Sequence, residues 1–191
     1  MKLPFVFAKR FVAGEEFISS VPAAKQLNQA HHQLTLDLLG ENVPSRSQAD
    51  HNVEAYINVL KGIEQHKLLS GISIKLTMLG LDIDVEYCAD NLFTLMEHAR
   101  SQNQFVRIDM EGSAYTELTL DLFKRAHAKY GAQHVGTVIQ AMLHRSKEDI
   151  AELAGLGADV RLVKGAYKES RSRAYQQMSN IREAFNVYAE V

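Results

Sequence analysis

Ionisable side chains interrupt several of the apolar runs in this chain, and they do so in a pattern that could do chemistry. Lys75 lies inside SIKLT, Arg107, Asp109 and Glu111 alternate through VRIDME, Gln140 sits in VIQAML, and VRLVKGAY carries Arg161 and Lys164. Charges inside buried strands are costly unless they are paired or used. Arg107 with Asp109 or Glu111 would make a structural ion pair, and Gln140 alone reads as a structural residue. Lys75, Asp109, Arg161 and Lys164 together are different, because three cations against one carboxylate leave positive charge uncompensated. An anionic ligand would compensate it. A second chemistry is open to the same residues: Lys75 or Lys164, with a depressed pKa, could attack a carbonyl as a Schiff-base aldolase or lyase does.

These residues need elements to hold them. Apolar residues at helical spacing predict helices over residues 17–33, opened by Ser19 or Ser20 with Pro22 in the first turn, and from Ser47 through HNVEAYINVLKGIEQHK behind a serine cap. Further helices are expected in DVEYCADNLFTLMEHARSQ, in AYTELTLDLFKRAHAKYG up to Gly131, in SKEDIAELAGLG, where Ser146 and Asp149 resemble a capping box, and in SNIREAFNVYAEV. LTLDLLG reads as a short apolar run stopped by Gly40. GISIKLTML, QFVRIDME, HVGTVIQAML and DVRLVKGAY read as strands. The result is strict alternation of about five strands with helices, without hairpin signals, which argues for parallel strands.

Two α/β folds fit, a doubly wound open sheet and a (β/α)8 barrel. The region after the first strand, LLGENVPS, has one glycine and lacks a glycine-rich phosphate loop, which favours the barrel, with about five of its eight units present. Alternation along each strand puts Ser73, Lys75 and Thr77 on one face and Arg107, Asp109 and Glu111 on the equivalent face. In a barrel those faces point to the lumen, near the C-terminal strand ends where barrel active sites lie.

Bulk composition narrows the classes. The chain has 191 residues, 46% of them apolar, enough for one sizeable core, and all three prolines lie at or before Pro44, so a single domain is expected. Net charge of -2 gives no basic excess for nucleic acid, and any anion site must be local. The lone Cys88 excludes an intrachain disulfide and thiolate metal clusters, and the eight histidines form no ligand pattern. No apolar run approaches the roughly 20 residues of a membrane span, and the patch in MKLPFVFAKR is too short for a signal peptide, so a cytoplasmic protein is expected.

Six segments, in order, resemble the FAD-dependent proline dehydrogenase family: RFVAGE, LDLLGE, ISIKLTMLGLDID, FVRIDMEGS, VGTVIQAMLHRS and VRLVKGAYKE. The resemblance covers about Arg10 to Glu169. It implies a (β/α)8 barrel with FAD at the strand ends, oxidation of L-proline to 1-pyrroline-5-carboxylate, and a quinone acceptor, hence peripheral contact with the inner face of a membrane. It also implies that Lys75 binds the substrate carboxylate, that Asp109 and Arg161 are catalytic with Arg161 beside the flavin, and that Met110, Gln140, Lys164, Gly165 and Ala166 contact FAD. The family's remaining strands carry further FAD and substrate residues. Residues 1–191 are therefore expected to form a barrel domain incomplete at its C-terminus, with weak FAD binding and no turnover on its own. A non-catalytic truncated barrel is the corresponding alternative.

Overall fold

A computed structural model describes residues 12–191, so MKLPFVFAKR and the start of RFVAGE lie outside the described residues. The elements are α1 (Phe17–Gln29), β1 (Leu34–Asp37), α2 (Arg46–Gln65), β2 (Ser70–Ile74), a short 3-10 helix (Leu76–Leu79), α3 (Val85–Ser101), β3 (Val106–Ile108), α4 (Thr116–Tyr130), β4 (Val135–Gln140), α5 (Ser146–Gly155), β5 (Asp159–Val163) and α6 (Met178–Tyr188). The five strands form one sheet in the order β1-β2-β3-β4-β5, and every pairing is parallel. No described helix is long and apolar enough to cross a membrane.

The helices begin and end where local chemistry dictates. Asp84 accepts the Tyr87 N–H at 2.8 Å to start α3, and α4 stops at Gly131, whose φ of +79° few other residues adopt. Three expected starts are corrected. Ser45, not Ser47, caps α2 by accepting the Gln48 N–H. Helix α1 begins at Phe17 with Glu16 and Ser19 bonding reciprocally, so Pro22 lies past its first turn. Ser146 makes no capping box: its hydroxyl donates to the Gln140 carbonyl at 2.6 Å, and Asp149 pairs with Arg145 instead.

One face of the sheet carries the core. Ile72, Ile74, Val106, Ile108, Val135 and Ile139 are essentially fully buried against Tyr56, Leu60, Leu92, Leu95, Leu122 and Phe123 of the helices. The other face is concave. It curves enough for Arg161 Nη2 of β5 to donate to Thr35 Oγ1 of β1 at 3.0 Å although three strands lie between them. All four expected strands end earlier than expected: β4 stops at Gln140 and β5 at Val163, which leaves Lys164 beyond the strand, and the other two ends reshape the site. β2 ends at Ile74, and Lys75 begins the 3-10 turn that Gly80 closes at φ +98°, which removes Thr77 from the Ser73–Lys75 face. β3 ends at Ile108, although Asp109 still donates its N–H to the Ile74 carbonyl at 2.9 Å.

Candidate active site

The concave face gathers side chains from all five strands. In register across the sheet stand Asp37, Ser73, Arg107, Gly136 and Asp159, with Lys75, Asp109 and Arg161 nearer the C-terminal ends. Lys75 Nζ lies 2.9 Å from Asp37 Oδ2 and 3.7 Å from Asp109 Oδ2. Asp109 Oδ1 accepts the Ser73 hydroxyl at 2.9 Å and lies 3.5 Å from Arg161 Nη1. Lys75, Asp109 and Arg161, singled out from three separate segments, therefore form one contiguous ionic cluster.

Asp37 is the member that the sequence pattern concealed. It changes the charge balance: Lys75 and Arg161 face Asp37 and Asp109, so the cluster is neutral, and the expected excess of buried positive charge is not there. Lys164, the third expected cation, is exposed. Burial works against the Lys75 ammonium, but Asp37, Asp109 and Glu41 outweigh it and raise its pKa above the ordinary value. Lys75 is thus held charged, which removes the depressed pKa that an amine nucleophile there would need.

Arg107 does not pair with Asp109 or Glu111. It reaches across Gly136, where a side chain would collide with Nη1, to bind Asp159: Nη2 meets Oδ1 at 2.5 Å, and Nη1 donates to the Asp159 and Thr137 carbonyls at 3.0 and 2.9 Å. This places Arg107 in the framework, away from the chemistry. Glu111 is also structural in its contacts. Its Oε1 accepts the Thr77 N–H at 3.1 Å, its Oε2 accepts the Thr77 hydroxyl at 2.5 Å, and its carbonyl accepts Gln140 Nε2 at 2.8 Å.

Two cavities flank Arg161. One of about 590 Å³ opens at the N-terminal ends of the strands, beside Arg107 and Asp159. The other, about 600 Å³, opens at the C-terminal ends, and Asp109, Met110, Gln140, Arg161, Lys164, Gly165 and Ala166 all line it. The predicted residues thus converge on the second, with Lys75 behind Asp109 and off the cleft wall. Gly165 has φ +105°, and a β-carbon there would come 2.5 Å from Met142 Sδ. Tyr167, which the motifs left unassigned, lines the same cleft and donates its hydroxyl to Glu41 Oε1 at 2.8 Å, tying the loop after β5 to the loop after β1.

A family model described as proline dehydrogenase matches residues 20–185. The chain is 39% identical over 180 residues to proline dehydrogenase 2 of Bacillus subtilis (strain 168), covering 94% of this chain and 59% of that protein. It is 32% identical over 181 residues to the proline dehydrogenase of Deinococcus radiodurans, covering 93% and 58% respectively. The chain therefore spans somewhat over half the length of these curated relatives. Among solved structures, proline utilization A (PutA) from Bdellovibrio bacteriovorus inactivated by N-propargylglycine superposes with a TM-score of 0.86 at 23% identity, covering 97% of this chain and 24% of that one, which speaks to the fold.

Proposed function

The chain belongs to the proline dehydrogenase family, and on that premise we propose that its concave face serves the oxidation of L-proline to 1-pyrroline-5-carboxylate with FAD as cofactor. The observation that carries the reading is the convergence of Lys75 and Asp109, each just past the end of its strand, with Arg161 of β5 beside the cleft at the strand ends. We read the sheet as part of a (β/α)8 barrel, supported by its sequential all-parallel strand order and by the Arg161–Thr35 bond that spans its concave face.

The cleft suits a flavin. Met110, Val138 and Val163 offer apolar wall, Arg161 and Lys164 offer positive charge, and Gly165 brings backbone to the surface at a point where a β-carbon would have no room. A bound FAD supplies the hydride acceptor. The residues of the chain do the rest. Arg161 fixes positive charge on the cleft wall, where it favours negative charge that builds up during transfer. The Lys75 ammonium binds the proline carboxylate as a compact point charge. Asp109, bonded to Ser73, keeps Lys75 and Arg161 in place. A neutral cluster suits proline, which is itself a zwitterion of zero net charge.

A quinone as final acceptor, and a cytoplasmic protein touching the inner face of a membrane, belong to the same reading. Its test is spectroscopic: protein expressed from its whole reading frame should show flavin absorbance that L-proline bleaches in the absence of oxygen. Colourless protein that takes up no added FAD would overturn it.

A further inference from the structure

Asp37, a member of the ionic cluster, and Tyr56, a core residue, have no part in the proposed reaction so far, yet they stand directly behind Lys75. Asp37 occupies the last position of β1 and splits its two oxygens between two partners. Oδ2 faces Lys75 Nζ at 2.9 Å, and Oδ1 accepts the Tyr56 hydroxyl at 3.2 Å. Tyr56 projects from α2 and is 0% exposed, packed into the core, which holds its hydroxyl in place. Burial, and then the neighbouring Asp37, hold its phenol far above the ordinary value, so it keeps its proton and donates throughout the working pH range.

The two carboxylates beside Lys75 are therefore unequal. Asp109 stands 3.7 Å away, beyond a hydrogen bond, and is shared with Ser73 and Arg161. Asp37 makes the direct hydrogen bond, from an oxygen pair whose other member is pinned to a buried ring. An ammonium on a four-carbon stem has many rotamers, and one fixed acceptor selects among them. We propose that Asp37 and Tyr56 are positioning residues: Tyr56 orients Asp37, and Asp37 aims the Lys75 ammonium so that a remaining N–H faces the carboxylate of the substrate. The inference rests on the assignment of Lys75 to the substrate carboxylate.

The experiment compares wild type, Tyr56→Phe and Asp37→Asn in whole-reading-frame protein. Steady-state kinetics with L-proline is paired with calorimetric binding of cyclopentanecarboxylate and cyclopentanecarboxamide, two unoxidisable rings that differ in the charged group. Expected are a rise in KM of about threefold for Tyr56→Phe and about tenfold for Asp37→Asn, with kcat changed less than about twofold. Carboxylate binding should weaken in parallel and carboxamide binding should not, whereas general loosening would move both. Asp37→Glu should recover part of the loss. Unchanged KM and unchanged carboxylate binding in both variants, or equal weakening for both rings, would overturn the inference. A wild type that neither turns over proline nor prefers the carboxylate would instead overturn the assignment beneath it.

Discussion

Thr77 and Glu111 are joined twice: both oxygens of the glutamate accept from the same threonine, one from its backbone N–H and one from its hydroxyl. This clamp holds the 3-10 turn that Lys75 opens against the segment after β3. Burial is the chief influence on Glu111, which is 2% exposed, and it raises the carboxyl pKa above 4.5 despite the two bonds from Thr77.

The sign of the pH effect follows. Between the ordinary carboxylate pKa and the raised native one, the folded state holds more protons than the unfolded chain, so stability falls as pH rises through that window. Glu111→Gln removes this dependence. Thermal unfolding from about pH 4 to about pH 8 should show the variant gaining on wild type as pH increases. A constant difference across that range would contradict the assignment of the raised pKa to Glu111.

Arg161→Met should separate cofactor from catalysis. The substitution keeps apolar bulk in the cleft and deletes the fixed positive charge, so flavin absorbance should persist while turnover falls by about 10²- to 10³-fold. Rapid-reaction bleaching by L-proline measures the chemical step directly. Bleaching at the wild-type rate would show that the guanidinium has no part in it.

Arg107→Ala should be a stability variant. It strips three bonds from β5 and β4 and leaves the Asp159 and Thr137 carbonyls without their donor, at a cost of about 2–4 kcal/mol in urea unfolding. Arg107→Lys should recover little, because one ammonium cannot reproduce a fork that serves two carbonyls and a carboxylate. The same variants should leave the residual protein's KM for proline near wild type.

Gly165→Ala should cost both stability and cofactor. The φ of +105° strains any side-chain-bearing residue by about 1–3 kcal/mol, and Met142 must move to admit the new methyl group. Flavin titration should report affinity about tenfold weaker. Gly155→Ala, on α5 and with nothing within 4 Å of the added carbon, is the control expected to leave flavin binding unchanged.

Much of this architecture was legible because a charge inside an apolar run stands out. Lys75, Asp109 and Arg161 interrupt strands whose other faces are Ile, Leu and Val, and period-two alternation then places them on one side. Asp37 escaped because LTLDLLG is short, and its alternation of apolar with Thr and Asp was outweighed by the apolar count. Tyr56 fitted the helical spacing and is indeed in the core, but no local period reveals where its hydroxyl ends. Arg107 shows the same limit. Its partner stands two strands away, and only the register, which brings Gly136 between Arg107 and Asp159, makes that pair possible. The end of β2 was misplaced for a related reason: KLTML has strand-forming residues, but the Thr77–Glu111 clamp and Gly80 bend it into a turn.

The sequential strand order also sets a timetable. Each strand pairs with the next one along the chain, so the sheet can grow through contacts of modest sequence separation, which form fast. The bonds Arg161–Thr35 and Tyr167–Glu41 each span 126 positions and close the largest loops described, so their entropic cost is met late. The ionic cluster is thus complete only when β5 is seated against the rest. Hydrogen exchange on the 191-residue polypeptide should find the amides of β1 and β5, each paired with one strand there, opening well before those of β3, so that loss of the cluster precedes loss of the core.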